Sequence, residues 1–324
     1  MRSARLLAGL LAVAVLTLAG LHQALAPAAS PPPPSGEPWL GLNGNSADGA
    51  PEEFVEHRIV YDRGGGVELQ AGETLSQLGP GFERSIKAGM IPVVTIEFDG
   101  YSKCTFGNAC LPTDLKAIAE YARGFVATAE AILARWPAAP ISFEAINEPW
   151  GYGTAEQYAR FLALLLPEIA KSRVPPGDVY VSAAPNGWIA GLYQAEPSLR
   201  TEIQGWYVHP YAKERKPGEG IAEVPAMRAQ MASGADNILV SELGFCDSST
   251  SRSCLGSAAP ASDATDAAEA LRRELAIGLG YHREGWLRAL LVYARSDGGW
   301  AMQSPKGRLT ASGQALEAFG DRYG

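Results

Sequence analysis

The amino-acid sequence predicts an α/β protein, a single-domain (β/α)8 barrel, on three observations. Short apolar runs alternate with helical patterns about eight times. The runs are mostly β-branched or aromatic-rich and end in polar residues, Gly or Pro, as buried parallel strands do. Residues 38–324 supply the length, since such barrels need about 250 residues. A doubly wound open sheet is the main competitor, but no Gly-x-Gly-x-x-Gly turn follows the first run.

The runs are Leu40 to Asn45, Arg58 to Arg63, Pro92 to Asp99, Ile141 to Glu148, Val179 to Asn186, Trp206 to Tyr211, Ile238 to Phe245 and Leu290 to Asp297. Thr113-Asp114 opens a helix in which Leu115, Ile118, Ala122, Phe125, Ala129 and Ile132 recur at three and four residues and mark one buried face. Thr154 caps a second, with Tyr158, Phe161, Leu162, Leu165 and Ile169 inward. A third runs from Ala264 to about His282, and a last from Thr310 to the end. The helices after the first and sixth runs are expected to be weak, because Pro51 and Pro225 limit them.

Residues 1–28 read as an export signal. Arg2 and Arg5 precede an apolar stretch from Leu6 to Leu21, and small residues around Ala26 and Ala28 offer a cleavage site. An uncleaved membrane tether is the competing reading, although about 20 apolar residues are needed to span a bilayer. Residues 29–37, with Pro31 to Pro34, read as a stiff linker, and 38–324 as the folded domain. The formal charge of −8 argues against nucleic acid as a partner. In an exported chain, Cys104 with Cys110 and Cys246 with Cys254 are expected to form disulfides. A zinc site is the alternative, but it would need closer ligand spacing and a nearby His.

Serine, nucleotide and zinc chemistry lack their usual signals: there is no Gly-x-Ser-x-Gly, no phosphate-cradling Gly-x-x-x-x-Gly-Lys and no His-Glu-x-x-His. What stands out instead is a pair of acidic strand ends. In a (β/α)8 barrel the reacting groups sit at the C-terminal ends of strands. Glu148 closes the fourth run and Glu242 the seventh. Two carboxyls facing one another across the mouth can supply both the proton donor and the nucleophile that glycoside cleavage requires.

Asn147-Glu148-Pro149 at the fourth strand end, His209-Pro210-Tyr211 at the sixth, and Glu242 with Gly244-Phe245 at the seventh together resemble the retaining (β/α)8 glycoside hydrolases, the cellulase-like clan that includes families 5 and 39. The resemblance runs in strand order over nearly the whole of residues 38–324. It implies that Glu148 is the general acid/base, Glu242 the nucleophile and Asn147 the donor to the sugar 2-hydroxyl. It also implies that Tyr211 hydrogen-bonds Glu242 while His209 lines the cleft. Arg63 matches the arginine that orients the nucleophile in that clan, although the following Gly64-Gly65-Gly66 departs from the common pattern.

Thr95, Glu97 and Asp99 share one face at the third strand end, so Glu97 and Asp99 are candidates for sugar contact, with structural pairing the competing reading. Glu144 has the strand parity of Glu148 and lies deeper, where an unpaired charge is costly, so it needs a partner. Trp150, Tyr152, Trp188 and Trp300 are candidate platforms for sugar rings, whereas Trp136 and Trp286 read as packing residues. The expected protein is a monomeric, exported hydrolase of a β-linked glycan, more suited to endo than exo action, using no metal and no cofactor. A carbohydrate-binding barrel without catalysis and a metal-dependent barrel hydrolase are the rivals.

Overall fold

The computed structural model describes residues 36–44, 51–69, 74–212, 219–247, 260–294, 300–304 and 307–324. The expected leader, most of the linker and Cys254 lie outside these residues, and with Cys254 the second expected disulfide. Among the described residues no helix is long and apolar enough to cross a membrane.

Eight parallel strands close into a barrel. They are β1 (Leu40–Asn43), β2 (Ile59–Glu68), β3 (Ile91–Glu97), β4 (Ser142–Ala145), β5 (Val179–Ser182), β6 (Trp206–Val208), β7 (Ile238–Leu243) and, after a minor pair β8 (Cys246–Asp247) and β9 (Pro260–Ala261), β10 (Leu287–Tyr293). Strand β1 pairs with both β2 and β10, which shuts the ring.

The predicted strands are all present, with altered ends. Strand β2 does not stop at Arg63 but continues to Glu68. Its register against β3 slips between Asp62 and Gly65, a bulge that holds Arg63 at the point of irregularity. Strand β4 ends at Ala145, short of Glu148, because Ile146 and Glu148 take left-handed backbone angles, with φ of 65° and 47°. For a β-branched residue such as Ile146 that conformation is a true outlier and must be held by its surroundings.

Helices surround the ring, the six read from the sequence and three more (α2, α5 and α6): α1 (Pro51–Glu56), α2 (Gly79–Lys87), α3 (Leu115–Arg135), α4 (Ala155–Lys171), α5 (Trp188–Ala195), α6 (Leu199–Glu202), α7 (Val224–Arg228), α8 (Ala264–Arg283) and α9 (Ala311–Tyr323). Asp114 rather than Thr113 caps α3, accepting from the Ala117 N–H. Leu115, expected inward, is instead 66% exposed, in the first turn of α3. Thr154 and Gln157 form a reciprocal capping box on α4, whose five predicted apolar residues are all buried. Helices α1 and α7 are short, as the two prolines suggested.

Two apolar cores result. Tyr61, Val93, Tyr180, Tyr207, Leu239, Ala289 and Leu291 fill the barrel interior, and a larger cluster packs the sheet against the helices. Trp136 stacks edge-on to Phe82 and Trp286 lies flat on Tyr281, both as packing residues.

Candidate active site

The C-terminal strand ends gather a polar cluster around Arg63, which is itself buried. Its Nε donates to Glu144 Oε2 (2.6 Å), Nη1 to Glu242 Oε1 (2.5 Å) and Nη2 to Asn147 Oδ1 (2.8 Å). Glu144 thus has the partner its depth demanded, with Thr95 Oγ1 donating a second bond at 3.0 Å. Burial opposes the charge on Arg63, but Glu144 and Glu242 outweigh it and raise its pKa further, so the guanidinium is permanently charged.

Glu242 is fixed at both oxygens. Arg63 holds Oε1, and the Tyr211 hydroxyl donates to Oε2 at 2.7 Å. Burial alone would raise its pKa, yet His209, Arg63 and Tyr211 together hold it below the ordinary carboxylate value. Gly244, two residues on, has no room for a side chain, because a Cβ there would overlap the Tyr293 carbonyl and press on the Trp300 ring.

Glu148 follows the left-handed turn that ends β4. Its backbone N–H donates to the Tyr207 hydroxyl at 3.1 Å, and that hydroxyl in turn donates to the Ile146 carbonyl. Tyr207 therefore satisfies the two backbone groups that the turn removes from the sheet. The Glu148 carboxyl is the more open of the pair, 21% exposed against 11% for Glu242.

His209 stands between them. Its Nδ1 lies 2.8 Å from Glu148 Oε1 and 3.6 Å from Glu242 Oε2, while Nε2 lies 3.0 Å from Ser241 Oγ. One ligand atom from each of Glu148, His209 and Glu242 falls within 4.8 Å of the others, so the two carboxyls converge on one small space, which is also narrow enough for a divalent cation to bridge.

Glu97 is buried at the end of β3, with both oxygens near the Asn147 N–H at 3.0 and 3.2 Å. Burial pushes its pKa up to about 8, against the opposing effects of that N–H and of Arg63. Glu97 supports the backbone of Asn147, whereas Asp99 is exposed in the turn beyond the strand.

The aromatic candidates divide. Trp150 is half-buried, with its ring edge-on to His209, and Trp300 is half-buried against Tyr211 and Tyr293. Trp188 is buried, stacks on Tyr158 and spends its indole N–H on the Ser182 carbonyl, which makes it largely a packing residue. Tyr152 contacts Tyr101 rather than standing free.

Ser241 was missed by strand alternation, and the reason is geometric. Val240 pairs with Leu290 and Leu243 with Val292, so β7 spends an extra residue there. That bulge lets consecutive residues Ser241 and Glu242 both serve the site. The role of Tyr207 in holding the β4 turn was likewise unread, because it depends on a backbone turn of another strand.

No protein-family model matches the chain, and no curated protein sequence does. Solved structures do match. A family 39 glycoside hydrolase from the gut symbiont Bacteroides cellulosilyticus aligns with a TM-score of 0.58 at 15% identity, covering 87% of this chain and 63% of that one, so the chain spans less than two thirds of that protein. A glucosidase from Croceicoccus marinus aligns at 0.63 and 12% identity, covering 88% and 67%. A family 39 β-xylosidase from Caulobacter crescentus aligns at 0.61 and 15%, covering 91% and 74%. At such identities the likeness is one of architecture, and the closed eight-stranded barrel described above is the (β/α)8 fold that these glycoside hydrolases share.

Proposed function

We propose that the protein is an exported glycoside hydrolase that cleaves a β-linked glycan with retention of configuration, using Glu148 as acid/base and Glu242 as nucleophile, without a cofactor. The observation that carries this reading is the approach of one carboxyl oxygen of Glu148 to within 4.8 Å of one of Glu242. Retaining enzymes place these groups about 5–5.5 Å apart, whereas inverting ones leave about 6.5–9.5 Å for a water. Export is supported by the Cys104–Cys110 disulfide, a bond that persists in oxidising compartments.

The unequal surroundings of the two groups suit the two roles. Glu242, held ionised by Arg63, Tyr211 and His209, attacks the anomeric carbon. Glu148, with one oxygen on His209 and its carboxyl open to the cleft, passes a proton to the departing oxygen and then takes one from water. Arg63 occupies Asn147 Oδ1, so the amide presents its NH2 on the other side, where one N–H reaches the Tyr101 hydroxyl at 3.4 Å and the second is the donor that a sugar 2-hydroxyl requires. Such a bond accelerates reaction to the extent that it strengthens in the transition state.

Replacing Glu242 by Ala is expected to abolish turnover of an aryl β-glycoside and to allow rescue by azide, with a product of inverted configuration read by NMR. Glu148→Gln is expected to spare activated substrates far more than natural glycans. Full activity of Glu242→Ala on the glycan would end this reading. Screening the purified protein on β-1,3-, β-1,4- and mixed-linkage glucans, mannan and xylan identifies the glycan.

A further inference from the structure

Building on that reading, we infer that Phe106, presented by the disulfide loop, forms a binding platform for the leaving portion of the substrate, and that this portion is itself a saccharide chain. A cavity of about 400 Å3 opens beside Glu148. Phe106 and Trp150 line it, facing Pro185 and Asn186 beyond the end of β5, with His209 and Met227 completing the wall. Glu148 lines it directly, whereas Glu242 borders it only through Tyr211 and His209, the residues that hold its carboxyl. A general acid must sit beside the oxygen it protonates, and the nucleophile must sit behind the anomeric carbon. The space that Glu148 lines directly, with Tyr211 and His209 between it and Glu242, therefore receives the leaving group.

Phe106 is 57% exposed, an unusual position for a large apolar side chain that is otherwise tightly held. Its ring meets Tyr152 edge-on at 5.6 Å and lies over Gly151 so closely that a Cβ at that glycine would overlap it. The loop beneath is closed by the Cys104–Cys110 disulfide. It is tied to the turn after Glu148 by the Gly107 N–H to the Gly151 carbonyl (2.7 Å), and by the Cys110 and Leu111 N–H groups to the Tyr152 carbonyl (2.7 and 3.0 Å). Acid and platform thus form one unit: the segment that carries Glu148 and Trp150 also seats Phe106. A fixed, open aromatic face suits the apolar face of a pyranose, because contact there removes both from water and the protein side chain is already ordered.

The space does not end at one ring. A second recess of about 430 Å3 adjoins it, with Trp150, Ala184, Pro185 and Asn186 common to both and Trp188 at its other side. A leaving group of two or more sugar units can follow this path outward from Glu148, whereas a small alcohol would leave it empty.

The test compares two leaving groups on one glycosyl donor. Laminari-, cello-, xylo- and mannohexaose are offered to wild type alongside the glycosyl fluorides of glucose, xylose and mannose, and the hexaose cleaved is compared with the fluoride of its own sugar, whose leaving group cannot reach Phe106. Phe106→Ala is expected to lower kcat/KM for the hexaose at least tenfold more than for the fluoride, and Phe106→Trp to restore the hexaose value. Wild-type fragments released from the reducing end should be two units or longer. Equal losses on both substrates, no loss on either, or cleavage of the fluoride with every hexaose untouched would overturn the inference while leaving the hydrolase assignment intact. Hydrolysis of neither class by wild type would remove both.

Discussion

Arg63 is the residue on which the site's charge balance turns. It carries one permanent positive charge between the carboxylates of Glu144 and Glu242, and it also fixes the amide of Asn147. Glu97 completes the balance by differing from its neighbours, for burial lifts its pKa to about 8 and leaves it uncharged at neutral pH. The folded value lies above the ordinary 4.5, so between the two values the native state holds a proton that the unfolded chain has lost. The stability from this proton is fully present below the unfolded pKa and is lost as pH rises through the folded one, with a slope of at most about 1.4 kcal/mol per pH unit. Glu97→Gln keeps an uncharged acceptor for the Asn147 N–H and removes the titration. Its melting temperature relative to wild type should therefore rise between about pH 5 and about pH 8.5. A difference that stays flat across that range would mean that Glu97 is ionised in the fold.

At the scale of elements, the end of β4 shows how a strand is stopped in order to aim a side chain. Left-handed angles at Ile146 and Glu148 cost of order 1–3 kcal/mol each, and a tyrosine from β6 holds them in place. Tyr207→Phe keeps the ring but strands a buried carbonyl and an N–H. We expect a loss of about 1–3 kcal/mol in denaturant unfolding, together with a fall in kcat that is larger for poor leaving groups because Glu148 loses its aim. Unchanged kinetics would show that the turn is held by other contacts. This element also marks what the sequence could disclose. Strand order, the helix cap at Thr154, the helix that starts at Thr310 and the pair Glu148 and Glu242 were legible, since each depends on local pattern or a short motif. The stop at Ala145, the bulge that turns Ser241 inward and the pairing of Glu144 with Arg63 were not, because each is decided by a partner on another strand. The place of Phe106 beside Glu148 was not legible either, because it depends on how the disulfide loop folds onto the turn at Gly151.

For the molecule as a whole, closure of the ring makes local crowding a global matter. In an open sheet, an edge strand displaced by an extra methyl group can move outward. Strand β1 has no such freedom, because it is paired on one side with β2 and on the other with β10. Gly41 lies at its middle, where a Cβ would collide with the Cβ of Tyr61 and come within 2.6 Å of the Tyr61 carbonyl oxygen and 2.9 Å of the Leu291 side chain. Both neighbours belong to the barrel's interior packing, and two residues further along, Asn43 reaches the Ser241 carbonyl at 3.3 Å. Gly41→Ala should therefore cost about 1–3 kcal/mol or more in unfolding free energy, as overpacking of a well-filled core does. It should also lower kcat, since a displaced β1 shifts β7 beneath Glu242. The same substitution at Gly66, where a Cβ meets nothing within 4 Å, is the control and should leave both values close to wild type. If the two variants lost equal stability, the penalty would come from strand propensity rather than from the closed ring, and the coupling between barrel packing and the carboxylate pair would have to run by another route.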